Sequence, residues 1–260
     1  MARSIQKFRH RVSEHGLLGA FRIVWHKSFT GRRKKKIFAL GSPEDRFTRI
    51  YETNHWNNFE SRSGEGSTIG NTAILRAALP AVFEKYEVER FLDAPCGDFN
   101  WMQAVVDDTD IIYIGGDIVR PLVEQNVKNF ASDRISFQHL DLTRDPLPAV
   151  DMMMCRDCLF HLSYRDIAKV LQNVLASDVP LLLTTTIAAP GGARLKNKDI
   201  ETGDMRRIDL FSHPFNAPKD VLEVVNDPLV SRSSERFMVL LDRDAVATIH
   251  QSLLESLGPE

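Results

Sequence analysis

Phe91-Leu92-Asp93-Ala94-Pro95-Cys96-Gly97-Asp98-Phe99-Asn100-Trp101 is the stretch whose reading decides the fold. A short apolar run ends in an acid, passes through a tight turn of small residues and enters a segment with helical spacing. That order belongs to open parallel sheets, in which ligands bind beyond the carboxyl ends of the strands, where the strand order reverses. Gly97 lets the backbone come close to a ligand there. The carboxylate of Asp93, at the same edge, suits a cationic ligand or an ammonium group.

The texture repeats downstream. Apolar strands are expected at residues 90–94, 111–115, 135–140, 150–155, 179–186 and 237–241, with helices at 101–106, 121–130, 164–176 and 245–257. Strands alternating with helices at this spacing imply βαβ units and a parallel sheet. Upstream, Pro43-Glu44-Asp45 supplies a proline and acids at a helix start, residues 71–86 return to helical spacing, and residues 61–67 (Ser-Arg-Ser-Gly-Glu-Gly-Ser) read as a loop. Residues 187–219 read as a long loop over the ligand-binding end of the sheet, and 219–225 as a short helix. The fold class is thus α/β, a doubly wound, mostly parallel, Rossmann-like sheet with a helical N-terminal extension. The expected division is a basic extension at 1–43 and one domain at 44–260.

The chain has 260 residues, 43% of them hydrophobic, enough for one sizeable core. Its net charge is −2, which argues against a general nucleic-acid binder. The charge is uneven: residues 1–36 hold Arg3, Lys7, Arg9, Arg11, Arg22, Lys27 and the run 32–36, against the single acid Glu14. Phe8, Val12, Leu17, Phe21 and Val24 lie among these cations at roughly helical spacing. The segment reads either as a helix for an anionic membrane surface or partner, or as a mobile or partly packed extension. No apolar run approaches the ~20 residues of a membrane span, and no signal peptide is recognisable. The expected location is cytoplasmic, with peripheral membrane contact through residues 1–36. The three cysteines, Cys96, Cys155 and Cys158, fit a reducing compartment. Cys155 and Cys158 form a C-x-x-C, but zinc needs about four ligands and no second pair exists. They are read as thiols lining a loop, and no metal is expected.

The region 88–186 resembles class I S-adenosylmethionine (SAM)-dependent methyltransferases. Their first motif is commonly an acid followed by Gly-x-Gly-x-Gly; here Pro95 stands at the first glycine, Gly97 keeps the middle one and Phe99 replaces the last. The missing glycines speak against a dinucleotide pyrophosphate site. A narrower resemblance is to bacterial class I methyltransferases carrying Asp-Ala-Pro-Cys-Gly-Asp-Phe-Asn-Trp and Cys-Arg-Asp-Cys-Leu-x-His-Leu. The resemblance implies SAM as cofactor, with Asp93, Ala94, Pro95 and Gly97 in the first turn. It implies Asp117, beside Ile118, as acceptor of the ribose hydroxyls, Asp141 at the adenine amino group, and Leu142 against the ring. Arg156 and Trp56 are expected to complete the cofactor site, and the loop at 63–67 to close over it.

Methyl transfer from a sulfonium is an in-line displacement in which alignment supplies much of the catalysis. A high-pKa oxygen acceptor also needs a general base. His161 is the first candidate, or else a capping histidine; Asp157 is the second, or else a holder of the cofactor's methionine portion. Arg206 and Asn216, after the fifth strand, are expected to contact the acceptor, where arginine suits phosphate, carboxylate or sugar-rich groups. The expected activity is methyl transfer from SAM to an oxygen, or a nitrogen, of a small molecule or carbohydrate. The alternatives are a non-catalytic SAM-fold adaptor at a membrane or protein partner, and a protein side-chain methyltransferase.

Overall fold

A computed structural model describes residues 37–188, 195–229 and 235–258. They fall into two compact units that divide after Arg46, and the sheet belongs wholly to the second. The basic segment at 1–36 lies outside the described residues.

Helices α1 (Pro43–Glu52) and α2 (Ala73–Lys85) precede the sheet. Then follow β1 (Arg90–Asp93), α3 (Met102–Asp107), β2 (Ile112–Asp117), α4 (Arg120–Phe130), β3 (Ile135–His139), β4 (Met152–Cys155), α5 (Tyr164–Ala176), β5 (Leu181–Ala188), β6 (Glu223–Asn226), β7 (Glu235–Asp242) and α6 (Arg243–Leu257). The seven strands lie in the order β3-β2-β1-β4-β5-β7-β6. β1 to β5 run parallel, and β7 is antiparallel to both β5 and β6.

Alternation along each strand builds a core on either face. Leu92, Ile114, Met153, Leu182 and Val239 pack with Ile167, Leu171 and Val174 of α5 and with Val246, Ile249 and Leu253 of α6. Phe91, Tyr113, Met152, Met154, Leu183 and Met238 pack with Leu75, Leu79 and Phe83 of α2 and with Met102 and Val106 of α3. Two caps fix the far edge. Asp242 accepts a hydrogen bond from the Ala245 amide at 2.8 Å and starts α6. Arg243 donates to the carbonyls of Leu175 and Ser177, each at 2.7 Å, and so satisfies the end of α5.

One element differs in kind from the sequence reading. The helix expected at 219–225 is instead strand β6, with Val224 opposite Val239 and Val225 opposite Met238. A segment this short cannot nucleate a helix alone, and its β-branched pair fits the ladder that β7 offers. Elsewhere the strand and helix ends move by one or two residues. Among the described residues no helix is long and apolar enough to cross a membrane.

Gly115 on β2 is where the sheet tolerates no side chain. An added Cβ would lie 2.5 Å from Cδ1 of Phe137 and 3.1 Å from Sγ of Cys96. Gly115→Ala is therefore expected to cost about 1–3 kcal/mol by overpacking, read as a lower urea midpoint at unchanged slope.

Candidate cofactor and active site

The chain leaves β1 toward β2 and leaves β4 toward β5, so the strand order reverses between β1 and β4 and a crevice opens at their carboxyl ends. The turn after β1 forms one wall. Gly97 has φ 56°, and a Cβ there would lie 2.1 Å from Oγ of Ser63, so conformation and space both require glycine. Its amide donates to Oδ2 of Asp117 at 3.1 Å, and its carbonyl accepts from Asn126 at 2.7 Å. Phe99 also has φ 56°. Its buried ring packs against Tyr113, Phe130 and Phe137 at centroid distances of 4.9, 5.3 and 5.2 Å, which offsets the strain of a left-handed non-glycine residue. Ala94 is buried and Pro95 half-buried in the same turn.

The strand-end acids divide into two kinds. Asp93 is buried, accepts from the Tyr113 hydroxyl at 2.9 Å, and is pushed by burial up to about 7, with the Tyr113 bond and Arg156 pulling the other way. Asp117 is buried beside the half-buried Ile118, accepts from the Val119 amide at 3.0 Å, and is pushed by burial up to about 6. Neither has an ion-pair partner among the described residues. Asp141 differs: it accepts from the amide and hydroxyl of Thr143 at 3.0 and 2.7 Å and pairs with Arg144 at 3.1 Å. Leu142 is buried in the core shared with α5.

Residues 60–67 form a strap across this edge. Asp98 accepts from the Ser61 hydroxyl at 2.9 Å and the Arg62 amide at 2.6 Å, and Asn100 donates to the Ser67 carbonyl at 3.0 Å. On the β4 side Arg156 donates to the Gly66 carbonyl at 2.8 Å. Trp56 packs on Gly64 and lies 5.6 Å from the His161 ring, tilted by 37°.

Behind the strap lies a buried ionic cluster. Arg156 donates to both carboxylate oxygens of Asp227 at 2.9 and 3.1 Å, and Arg236 reaches Asp227 at 3.0 Å and Asp157 at 2.6 Å. Thr185 binds the Asp157 amide at 2.9 Å and its carboxylate at 3.3 Å. Burial raises Asp157, but Arg156 and Arg236 outweigh it and hold the carboxyl below its ordinary range. Burial pulls Arg156 down, and Asp157 with Asp227 more than restores it. Removing one member of such a cluster strands a buried charge, at about 3–5 kcal/mol.

Three of the expected site residues are engaged within the protein itself. Arg156, expected at the cofactor, directs its N–H groups to Asp227, Gly66 and Asp157, with its guanidinium 5.1 Å over the Trp101 ring. Asp157, the second base candidate, is held by two cations and a hydroxyl and is a weak proton acceptor. Asn216, expected at the acceptor, donates to Ser252 of α6 at 2.9 Å and does not join the cluster. Asp227 and Arg236 escaped sequence reading. The one available signal was an arginine at the head of the apolar run 237–241.

His161 closes a short 3₁₀ turn, Leu159–His161. Its Nδ1 lies 2.8 Å from the Asp204 carbonyl oxygen. A carbonyl only accepts, so Nδ1 carries the proton and Nε2 keeps the lone pair. Burial lowers the His161 pKa, opposed by the Asp204 carbonyl and by the charge of Asp157. Arg206 stands beside it: its Nη1 donates to the Leu162 carbonyl at 2.5 Å, its guanidinium lies 5.3 Å over the Tyr164 ring, and burial lowers its pKa to about 10. Cys155 and Cys158 are free thiols. Among the described residues no group of three acidic, histidine or cysteine side chains is placed to hold a metal.

No family model and no curated protein matches the chain. Solved structures do. Human N-acetylserotonin methyltransferase in complex with SAM aligns with TM-score 0.52 and 14% identity over 75% of this chain and 59% of that one. PigF with SAH aligns with TM-score 0.55 and 13% identity over 87% and 73%. A Burkholderia thailandensis 1,6-didemethyltoxoflavin-N1-methyltransferase aligns with TM-score 0.52 and 16% identity over 78% and 91%. The present chain thus spans about three fifths of the human enzyme's length. The likeness is one of fold: the sheet and its helices are those of Rossmann-like class I methyltransferases.

Asp93 gives the site a measurable pH signature. Its carboxyl titrates near 3.8 in an unfolded chain and near 7 in the fold, so the folded state binds the extra proton between those values. The stability from this group is full at low pH and is lost as pH rises through about 7. Asp93→Asn stays neutral and can still accept from Tyr113. Urea midpoints measured from pH 4 to 8 should therefore shift progressively in favour of the variant; a pH-independent difference would contradict the placement of this charge.

Proposed function

We propose that this chain is a SAM-dependent methyltransferase acting on a hydroxyl of a small-molecule or carbohydrate acceptor. The observation that carries the reading is the pair of carboxylates, Asp93 and Asp117, buried at the crevice with raised pKa values and no ion-pair partner among the described residues. A ligand that brings positive charge and hydroxyl donors to that edge relieves both. SAM carries a sulfonium, an ammonium and two ribose hydroxyls, and the solved neighbours named above were determined with SAM or SAH. In this reading Asp117 and Ile118 take the ribose. Asp93, Ala94, Pro95 and Gly97 line the charged end, Asp141 and Leu142 the adenine end, and Trp56 stands with the strap. The stretch 93–101 also supports membership of the bacterial subgroup that shares its motif.

When bound, SAM supplies an electrophilic methyl on sulfur. His161 would do the proton work: its Nε2 lone pair would take the acceptor's hydroxyl proton as the oxygen displaces the thioether sulfur from the methyl, the S–CH3 bond pair going to S-adenosylhomocysteine, so that an imidazolium and a methyl ether remain. Asp157, kept ionised by Arg156 and Arg236, stabilises that imidazolium through space. The toxoflavin enzyme holds its small-molecule acceptor in its own site, which supports an acceptor of similar scale here.

Calorimetry should show SAM binding and no NAD binding. Asp117→Ala should weaken SAM by about 1.5–3 kcal/mol, the value of hydrogen bonds to a charged group. Affinity should rise as pH increases through about 7, where Asp93 ionises. With an acceptor found by labelled-methyl screening of an extract, His161→Ala should lower turnover by about a hundredfold and leave SAM affinity intact. Normal turnover in that variant would leave catalysis to alignment alone, and SAM binding without any turnover would favour the adaptor reading.

A further inference from the structure

We infer that Asp227 and Arg236, at the ends of β6 and β7, are positioning residues for the cofactor site: through Arg156 and Asp157 they lock Gly66 of the strap at the mouth of the β1–β4 crevice. The inference rests on the SAM reading and deepens it by naming what holds the wall over the cofactor.

The chain of contacts runs one way. Asp227 has no exposed surface; its carboxylate takes hydrogen bonds from both guanidinium groups, and its backbone carbonyl takes a further one from Nε of Arg236 at 2.7 Å. It is thereby the fixed point. Arg156, oriented by Asp227, presents Nη2 to the Gly66 carbonyl at 2.8 Å. Arg236, oriented by the same carboxylate, presents Nη1 to Asp157 at 2.6 Å. Asp157 and Arg236 then close on Gly66 from the other side. A Cβ on Gly66 would lie 2.6 Å from Oδ2 of Asp157 and 3.0 Å from Nη1 of Arg236. Asp157 itself has φ 52°, a left-handed conformation that aspartate and asparagine adopt more readily than other non-glycine residues.

The opposite end of the strap is tied by Asp98 and Asn100 to the turn that carries Gly97. The strap is therefore pinned on both sides of the crevice, to β1 at one end and to the ionic cluster at the other. Stability alone does not call for this arrangement, because well-packed apolar residues often replace buried ion pairs without loss. Apolar side chains cannot hold a carbonyl and a carboxylate at set positions around one glycine. The cluster therefore controls how readily the strap lifts to admit or release SAM.

The test uses the full chain and SAM, with binding and release followed through tryptophan fluorescence, since Trp56 packs on Gly64 and Trp101 lies under Arg156. Gly66→Ala keeps every charge and should speed SAM release at least tenfold; its added Cβ also lowers the urea midpoint, so release is read at temperatures where the variant is folded. Arg236→Met should also speed SAM release, with a lowered urea midpoint because it removes a counter-charge of Asp157 and Asp227, and Arg236→Lys should recover part of both losses because it returns one cationic arm but not the fork. Amide exchange on the wild-type chain is the readout that needs no variant: SAM should slow exchange across residues 61–67. Folded Gly66→Ala protein with wild-type SAM affinity and release rate would overturn the inference. So would wild-type chain that binds SAM with no slowing at 61–67. A wild-type chain that binds no SAM defeats the methyltransferase reading itself, an outcome distinct from either.

Discussion

Two buried guanidinium groups, the buried carboxylate of Asp227 and the half-buried carboxylate of Asp157 meet at the carboxyl edge of the sheet, and the arrangement around the crevice depends on their mutual cancellation. Each charge alone would carry a desolvation penalty of several kcal/mol. Together they form a neutral unit that fixes the directions of Nε and Nη2 of Arg156 and of all three nitrogens of Arg236. β4 delivers Arg156 and Asp157, β6 delivers Asp227, and β7 delivers Arg236. The hairpin-like return of β6 and β7 thus does more than extend the sheet: it brings in one cation and one anion so that the β4 end can be charged and buried at once.

Beside this balanced cluster lies a pair of acids that is not balanced. Asp93 and Asp117 face a few backbone and hydroxyl donors, and burial raises both. The contrast is informative because both sets sit at the same edge of one sheet. Where the fold supplies its own counter-charges, the groups orient a loop. Where it withholds them, burial raises the carboxyls, and in the proposed reading a ligand brings the missing positive charge and hydrogen-bond donors. Asp141 belongs to neither set, since Thr143 and Arg144 already satisfy it and its own turn fixes its geometry.

Much of this fold is legible in the sequence because parallel strands buried on both faces read as unbroken apolar runs. Met152–Cys155 and the run through Leu181, Leu182 and Leu183 announce themselves, and the acids at the ends of β1 and β2 follow from them. β6 does not: it has one fully buried residue, Val225, and its identity as a strand comes from its partner β7, which no local pattern encodes. Strand-end spacing put Arg156 at the right edge but could not say where its side chain turns, because Asp227 orients it from 71 positions away. Phe99 shows the same limit in reverse. A residue where the family pattern has glycine looks like a defect until β2, α4 and β3 supply the aromatic rings that hold it.

The ionic cluster and the proposed chemistry meet at Asp157. Burial disfavours the charged form of His161, and the Asp204 carbonyl fixes which nitrogen holds the proton. A base of that kind takes a proton readily only if the imidazolium it becomes is stabilised. The hydrogen bond to the Asp204 carbonyl and, after it, the carboxylate of Asp157 favour that form against the pull of burial and of Arg206. Asp157 stays ionised in turn because Arg156 and Arg236 hold it so. In the proposed reading one set of charges therefore bears on two things: the strap, through Gly66, and the proton affinity of the candidate base, through Asp157.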